Sequence, residues 1–269
     1  MEKKYRTFLD DNFEHRIFPY DEKIIFEIKS KKVDPHKLYE NGLKSKLLQL
    51  YDDFLKGIGL VRVGKYNESL HDYNTGLPII IPEDIKNIEN WWKGDTIIIG
   101  YFDIDGLKKI NDELGHYYGD IVISSFGEIL KYYFSRSSDK IFRINSAGDE
   151  FLVLSKCTMD RSLDNLNNYF NNLPKNILIT FPEEFPEEKL LKNKVQGIEL
   201  SFSVGTVPIE KAGSKNEHEF INYAIKDADK KMYLHKEGHK GSKTRIIYSR
   251  EEIDELKGNI NPSKNITNI

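Results

Sequence analysis

Two acidic clusters in this chain have the residue types that metal-assisted phosphate chemistry requires. Asp103 and Asp105 are separated by one residue, and Asp149 and Glu150 are adjacent. Carboxylates held close together repel each other unless a cation lies between them, and hard oxygen ligands favour Mg²⁺ or Mn²⁺. Such ions orient a triphosphate and help to activate an attacking hydroxyl in phosphoryl transfer. The clusters therefore indicate phosphate chemistry, provided that the fold brings them together.

Local sequence patterns place each acidic cluster at the end of a predicted strand. Residues 96–102 form a short apolar run rich in β-branched side chains, which predicts a buried strand ending at Asp103. Residues 140–144 and 151–154 flank a polar stretch, a pattern typical of a hairpin with Asp149 and Glu150 at its tip. Adjacent strands would bring the two clusters together.

The remaining pattern predicts an α+β fold. We expect helices over 121–134, 163–173 and 217–236, and strands over 176–181 and 199–207. This order suits a palm-type fold related to the ferredoxin-like βαββαβ arrangement, with a mainly antiparallel sheet and helices on one side. Upstream, leucines at helical spacing predict an amphipathic helix of about 20 residues within residues 33–55.

Composition limits the classes of partner and compartment. The chain has 40 basic and 43 acidic residues and a net charge of −3, so no global field draws it to nucleic acid. Its first residues lack the apolar core of a signal peptide, and no run approaches the roughly 18 apolar residues of a membrane span. Cys157 is the single cysteine, which fits a reducing compartment. We predict a cytoplasmic protein that neither inserts into membranes nor binds nucleic acid.

One longer string resembles a known family in both residue types and spacing. The string Phe102-Asp-Ile-Asp-Gly-Leu-Lys-Lys-Ile-Asn-Asp-Glu-Leu-Gly-His-Tyr-Tyr-Gly-Asp120 resembles the GGDEF family of diguanylate cyclases. Residues 72–78 look like the family's leading turn, and residues 143–151 like its signature hairpin, written here Ala147-Gly-Asp-Glu-Phe151. Residues 201–205 and 228–233 resemble its closing strand and helix. The resemblance covers about residues 70–248 and leaves the first 65 or so unexplained.

The resemblance implies a role for each acidic residue. Asp103, the carbonyl of Ile104 and Asp149 would hold the metal ions, Mg²⁺ or Mn²⁺. Glu150 would position or deprotonate the ribose 3′-hydroxyl, so that Asp103, Asp149 and Glu150 form the catalytic set.

The resemblance also implies the residues that bind substrate. Asn111 and Asp120 would read the base, and a carboxylate that accepts from the N1–H and amino groups favours guanine over adenine. The predicted topology places Lys108, Lys236 and Lys240 as phosphate partners, although Lys236 and Lys240 could equally form a solvated basic helix end.

The implied activity joins two GTP molecules into cyclic di-GMP and releases pyrophosphate, each 3′-oxygen attacking the other's α-phosphate across a homodimer. Two alternatives stay open: a cyclase with another cyclic nucleotide product, and a catalytically degenerate module that binds GTP or cyclic di-GMP. Ala147 replaces the first glycine of the signature, and Asn145 and Ser146 look inserted, which motivates the second alternative.

Regulation and domain organisation complete the sequence predictions. Arg136 and Asp139 match the family's Arg-x-x-Asp product-inhibition site, although an ordinary loop explains the same four residues. We predict a small helical accessory region over 1–66 that an unidentified regulator could use, a cyclase domain over 67–249, and a mobile tail over 250–269.

Overall fold

The computed structural model describes residues 13–19, 23–30, 71–72, 74–80, 88, 91–92, 95–144, 148–182, 194–209, 217–238 and 244–258. The strands are β1 (Phe13–Pro19), β2 (Lys23–Ser30), β3 (Ile97–Asp105), β4 (Asp139–Arg143), β5 (Glu150–Lys156), β6 (Asn176–Thr180), β7 (Gly197–Ile209) and β8 (Arg245–Ile247). The helices are α1 (Leu107–Leu114), α2 (His116–Tyr133), α3 (Leu163–Asn171), α4 (Glu217–Gly238) and α5 (Arg250–Gly258).

The strands form one mixed sheet that is antiparallel at nearly every pairing. Its order is β1-β2-β6-β7-β3-β5-β4, and β8 adds to β7. The β2–β6 pair is parallel, and each of the other pairs is antiparallel. The predicted α+β palm with a mainly antiparallel sheet is therefore confirmed.

Helices cover both faces of the sheet, whereas the sequence analysis predicted helices on one side. Side chains of α1, α2 and α3 pack with Phe102 and Ile104 of β3. Side chains of α4 pack with Ile99 and Tyr101 on the opposite face. Because successive side chains of a strand point to opposite faces, a strand covered on both sides is apolar at every position. This explains the uninterrupted apolar run before Asp103.

Strand β2 and helix α5 come from opposite ends of the chain and pack against each other. Strand β2 joins the sheet beside β6, and Ile25 forms a cluster with Ile253 of α5, which is fully buried. Lys257 adds a 3.1 Å ion pair with Glu27. The predicted mobile tail was therefore wrong for residues 250–258, because that helix docks on the sheet.

Other predictions for the ends of the chain fall on residues outside the described ranges. These are the helix within 33–55 and the tail over 259–269. The sequence analysis missed the β1–β2 hairpin, so the predicted helical region over 1–66 also contains two strands. Within the described segments, no helix combines the length and apolar character needed to cross a bilayer.

A half-buried lysine predicts an unusual pH dependence of stability. Lys175 Nζ donates to the Phe170 carbonyl at 3.3 Å and lies 5.4 Å from the Phe202 ring centroid. Burial lowers the pKa of Lys175 from 10.5 to about 8. Between those two values the unfolded chain binds more protons than the folded one, so this group makes the free energy of unfolding rise with pH.

We expect Lys175→Met to raise the free energy of unfolding at pH 7 by about 1 kcal/mol, because it removes a desolvated charge. The gain should shrink between pH 8 and 10, where the wild-type lysine becomes neutral in the folded state. Urea denaturation at pH 7 and pH 9.5 measures this, with the exposed Lys140→Met as control. A gain that is the same at both pH values would contradict the assignment.

Candidate functional site

Pairing of β3 with β5 brings the two acidic clusters together. The antiparallel register places Asp103 directly opposite Glu150. One step further, the backbone N–H of Ile104 donates to the carbonyl of Asp149 at 3.3 Å. The carboxylates of Asp103, Asp149 and Glu150 therefore belong to one edge of the sheet, as the two strand patterns predicted.

Of the carboxylates of Asp103, Asp149 and Glu150, that of Asp103 is the most deeply buried. Its side chain pairs with Lys236 of α4, whose Nζ donates to Asp103 Oδ1. Burial raises the pKa of Asp103 to about 6, and the nearby charge of Asp149 adds to the effect although Lys236 opposes it. Burial also lowers the pKa of Lys236, but its bond to Asp103 outweighs this and the net shift is upward. A neighbouring cation therefore stabilises the ionised form of the buried Asp103 carboxyl.

Close packing of α4 on β7 positions Lys236. Gly205 of β7 lies under α4, and a Cβ at this glycine would come 2.0 Å from the Ala228 carbonyl oxygen. Lys236 follows Ala228 by two turns, roughly 12 Å along the helix. Since any side chain at position 205 would push α4 away, this glycine allows the helix to deliver the lysine to Asp103.

The second aspartate of the Asp-x-Asp string has a different environment. Asp105 accepts hydrogen bonds from Ser203 Oγ at 2.9 Å and from Ser201 Oγ at 2.8 Å. Its backbone carbonyl accepts from Thr244 Oγ1 at 3.0 Å. These bonds tie the end of β3 to β7 and occupy both carboxylate oxygens of Asp105. These contacts give Asp105 a structural role, and the catalytic role of Asp103 stays a prediction.

The carboxylates of Asp103, Asp149 and Glu150 suit a metal ion that takes some of its ligands from the protein and the others from a bound substrate. Across the described ranges, no three or more His, Cys, Asp or Glu side chains are grouped to hold a metal by themselves. Mg²⁺ needs fewer protein ligands, because it keeps several waters and binds through one or two carboxylates together with substrate phosphates. Buried Asp103 beside Asp149 fits that requirement, and the carbonyl of Ile104 is the further ligand that the sequence predicts.

Two polar residues at the junction of α1 and α2 correspond to the predicted base site. Gly115 joins the helices with φ 86°, a conformation that favours glycine. The turn places Asn111 against Gly119, where a Cβ would come 1.9 Å from Asn111 Oδ1. That oxygen is buried and has no hydrogen-bond partner among the described residues. Asn111 thus has a buried acceptor packed against Gly119, which precedes Asp120 in the chain.

Asp120 is oriented by the turn at residues 72–78. Asn74 Nδ2 donates to Asp120 Oδ1 at 2.8 Å. Burial raises the pKa of Asp120, while the Asn74 hydrogen bond and the charge of Arg143 oppose that rise. The sequence analysis identified Asp120 and the turn separately, but it did not predict their contact.

A buried ion pair connects the same turn to the signature hairpin. Arg143 Nη1 lies 2.6 Å from Asp72 Oδ1, and the two side chains are 1% and 4% exposed. Arg143 Nη2 donates to the Gly148 carbonyl at 2.7 Å, next to Asp149. The sequence analysis missed this role of Asp72, although the residue lies within a segment that resembles the family's leading turn.

Tyr101 is a further residue that the sequence analysis missed. It lies two positions before Asp103, on the same face of β3, near Glu150 on the paired strand β5. Burial raises the pKa of Tyr101 and the charge of Glu150 adds to this, so the phenol stays protonated and available as a donor. A sequence search limited to acidic and basic residues overlooks such a donor.

The two residues of the predicted inhibitory site have structural partners. Asp139 is buried, and its carboxylate oxygens accept from Arg161 Nη1 at 3.2 and 3.4 Å. Arg136 Nη1 donates to Asp160 at 2.9 Å. An inhibitory role for Arg136 and Asp139 stays a prediction, and these contacts give the alternative of an ordinary loop a physical basis.

Several predicted residues are not placed at the acidic cluster. Lys108 is exposed on α1, and its contact with phosphate stays a prediction. The others lie outside the described residues: Asn145, Ser146, Ala147 and Lys240.

Comparison with known proteins identifies relatives of this site and fold. The family profile described as "Diguanylate cyclase, GGDEF domain" matches residues 83–242. A probable diguanylate cyclase, DgcJ of Escherichia coli, is 26% identical over 174 residues, which cover 63% of this chain and 30% of that protein. An uncharacterized membrane protein of Staphylococcus epidermidis is 28% identical over 180 residues, covering 65% of this chain and 45% of its own. The chain thus spans about a third to a half of the length of these relatives.

Solved structures of similar proteins carry the same family description. Diguanylate cyclase SiaD of Pseudomonas aeruginosa, crystallised with its activator SiaC, is 19% identical with a TM-score of 0.46, covering 77% of this chain and 71% of that one. The coiled coil and GGDEF domain of DgcB from Caulobacter crescentus, in complex with c-di-GMP, is 16% identical with a TM-score of 0.44, covering 76% and 94%.

Proposed function

Since the chain belongs to the GGDEF family of diguanylate cyclases, we propose that it joins two molecules of GTP into cyclic di-GMP. The observation that carries the proposal is the pairing of β3 with β5, which sets Asp103 opposite Glu150 and next to Asp149. The reaction takes two steps. In each, the ribose 3′-oxygen of one nucleotide forms a bond to the α-phosphorus of the other. The bond between that phosphorus and the oxygen bridging to the β-phosphate breaks, and pyrophosphate leaves. The hydroxyl proton passes to a protein base or to water.

Asp103 and Asp149 would hold Mg²⁺ or Mn²⁺ together with the triphosphate. The ion neutralises charge on the leaving pyrophosphate and lowers the pKa of the attacking hydroxyl. Lys236 now balances the charge of Asp103. With a divalent cation bound at Asp103, Lys236 would be able to donate to a phosphate oxygen, with Lys108 and Lys240 as further phosphate partners.

Glu150 is the residue we assign to the attacking hydroxyl. It lies across the strand pair from Asp103, with the Tyr101 phenol nearby on the same face of the sheet. A carboxylate in this place can accept the 3′-hydroxyl proton as the new phosphodiester bond forms. Each subunit would bind one GTP, so we propose that the active form is a homodimer. We also propose that it works in the cytoplasm.

Asn111 and Asp120 would bind the guanine edge. The buried, unpartnered Oδ1 of Asn111 can accept from an amino group, and the carboxylate of Asp120 can accept from the ring N1–H. Adenine carries no proton at N1, so the same carboxylate offers it no hydrogen bond.

Product analysis tests the proposed activity. The full chain is incubated with Mg²⁺ and the four ribonucleoside triphosphates, and the products are identified by mass spectrometry. We expect cyclic di-GMP, and a rate about 100-fold or more lower for Glu150→Ala, the usual scale for loss of a general base. A cyclic product with another base would overturn the guanine assignment. Absence of any dinucleotide at micromolar protein would overturn the proposed catalysis.

A further inference from the structure

The turn at residues 72–78 docks along one stripe of α2. Its contacts fall at positions three or four residues apart, so they lie on one face of the helix. Asn74 contacts the N-terminal part of the stripe, and the Thr75 carbonyl accepts from Lys131 Nζ at 2.5 Å. Between them, a Cβ at Gly127 would come 2.9 Å from Thr75. The members of the stripe are Asp120, Ser124, Gly127 and Lys131.

Asn74 is held at two points on this stripe. Its backbone carbonyl accepts from Ser124 Oγ at 2.7 Å, one helical turn after Asp120. Its side-chain amide donates to Asp120 Oδ1 at 2.8 Å. The bond to Ser124 fixes the backbone of Asn74, and this places its side-chain amide within hydrogen-bonding distance of the Asp120 carboxylate.

The amide of Asn74 controls what Asp120 can offer a ligand. An amide N–H can only donate, so Oδ1 must act as an acceptor and the carboxylate is directed by that bond. Among the residues that the structure describes, only Oδ1 of Asp120 receives a hydrogen bond, so we take Oδ2 as the oxygen that accepts from a base. A carboxyl that lost this bond could rotate, or carry a proton and act as a donor.

We propose that Asn74 is a positioning residue that makes Asp120 selective for guanine, by holding Oδ1 as an acceptor and leaving Oδ2 for the base. This rests on the proposed use of GTP. Guanine presents N1–H and amino donors, whereas adenine presents an N1 acceptor. A carboxylate oxygen held as an acceptor therefore forms a hydrogen bond with guanine N1–H. A protonated carboxyl could instead donate to adenine N1.

The charges around Asp120 agree with this role. Burial raises its pKa, and the charge of Asp72 acts in the same direction. The Asn74 hydrogen bond opposes them, together with the charges of Arg143 and His116. Asn74 is the neighbour that also fixes the direction of the carboxylate by a hydrogen bond.

Nucleotide binding without turnover tests the proposal. The ligands are 3′-deoxy-GTP and 3′-deoxy-ATP, which keep the base and triphosphate but lack the attacking hydroxyl. Calorimetry with Mg²⁺ compares the full-length wild type with Asn74→Leu, which is close in size but has no donor. Asn74→Asp, which cannot donate and adds a like charge, serves as a second variant. Lys131→Met is the matched control, because it loosens the same turn without touching Asp120.

We expect the ratio of guanine to adenine affinity to fall about tenfold or more in both Asn74 variants, the effect of losing one charge-assisted hydrogen bond. The ratio should stay near the wild-type value in Lys131→Met, and circular dichroism should show that all the variants are folded. Equal losses in Asn74→Leu and Lys131→Met would overturn the proposal, because docking of the turn would then explain them. An unchanged ratio in Asn74→Leu would overturn it while leaving the cyclase function standing. A wild type that binds both nucleotides equally would refute it together with the guanine assignment.

Discussion

Asp103→Asn is expected to lower the rate of cyclic di-GMP formation by at least about 1,000-fold while the chain stays folded. Asparagine keeps the size of the side chain but removes the negative charge that a divalent cation and Lys236 both require. The fold should tolerate the change, because burial already disfavours the ionised form of Asp103. Rates are measured by mass spectrometry at saturating GTP over a range of Mg²⁺ concentrations.

Asp105→Asn is the matched control, since it makes the same change two residues away on the same face of β3. Asp105 bonds Ser201 and Ser203 rather than the acidic cluster. We expect it to cost about 1 kcal/mol of stability and less than tenfold in rate, because asparagine can still bond both hydroxyls. Equal loss of activity in the two variants would contradict the separate roles of these aspartates.

These two aspartates also mark where sequence reasoning reaches its limit. The Asp-x-Asp string and the strand pattern were sufficient to place both residues at the end of β3. Their environments differ because they have different partners. Strand β7 supplies two serines to Asp105, whereas helix α4 supplies Lys236 to Asp103. Those partners lie about a hundred or more positions along the chain, beyond any local pattern.

The strands at the N-terminus escaped the sequence analysis for a related reason. Strand β2 pairs with β6, about 150 residues later in the chain, and its fit depends on side chains of both. Helix α5 has few apolar residues, and its stability comes from Ile253 docking beside Ile25. By contrast β3, β5 and the helices α2 and α3 have strong patterns of their own, and the sequence predicted them.

Resemblance to the family contributed what local patterns could not. It directed attention to Asn111 and Asp120, which the structure places at the junction of α1 and α2. It did not reveal that Asn74 and Arg143 connect the leading turn to the base site and the hairpin. These supporting contacts depend on three-dimensional placement, so variants at Asn74 and Arg143 would test the structural interpretation most directly.

Asp72→Ala is expected to be strongly destabilising, at about 3–5 kcal/mol, because it leaves the buried charge of Arg143 without its partner. Arg143 is 1% exposed, so water cannot replace the lost carboxylate. The turn also loses the acceptor for the N–H and Oγ1 of Thr75, both bonded to Asp72 Oδ2. Urea denaturation at pH 7 measures the free energy of unfolding.

Two comparisons separate the buried charge from other causes. Asp160→Ala breaks an exposed ion pair with Arg136 and should leave the free energy of unfolding almost unchanged. The double variant Asp72→Leu with Arg143→Met removes both buried charges and should recover part of the stability lost in Asp72→Ala. It should still lose cyclase activity, because Arg143 no longer holds the Gly148 carbonyl beside Asp149. If the double variant were less stable than Asp72→Ala, the unpaired charge would not be the cause, and loss of the bonds to Thr75 and Gly148 would have to explain the destabilisation.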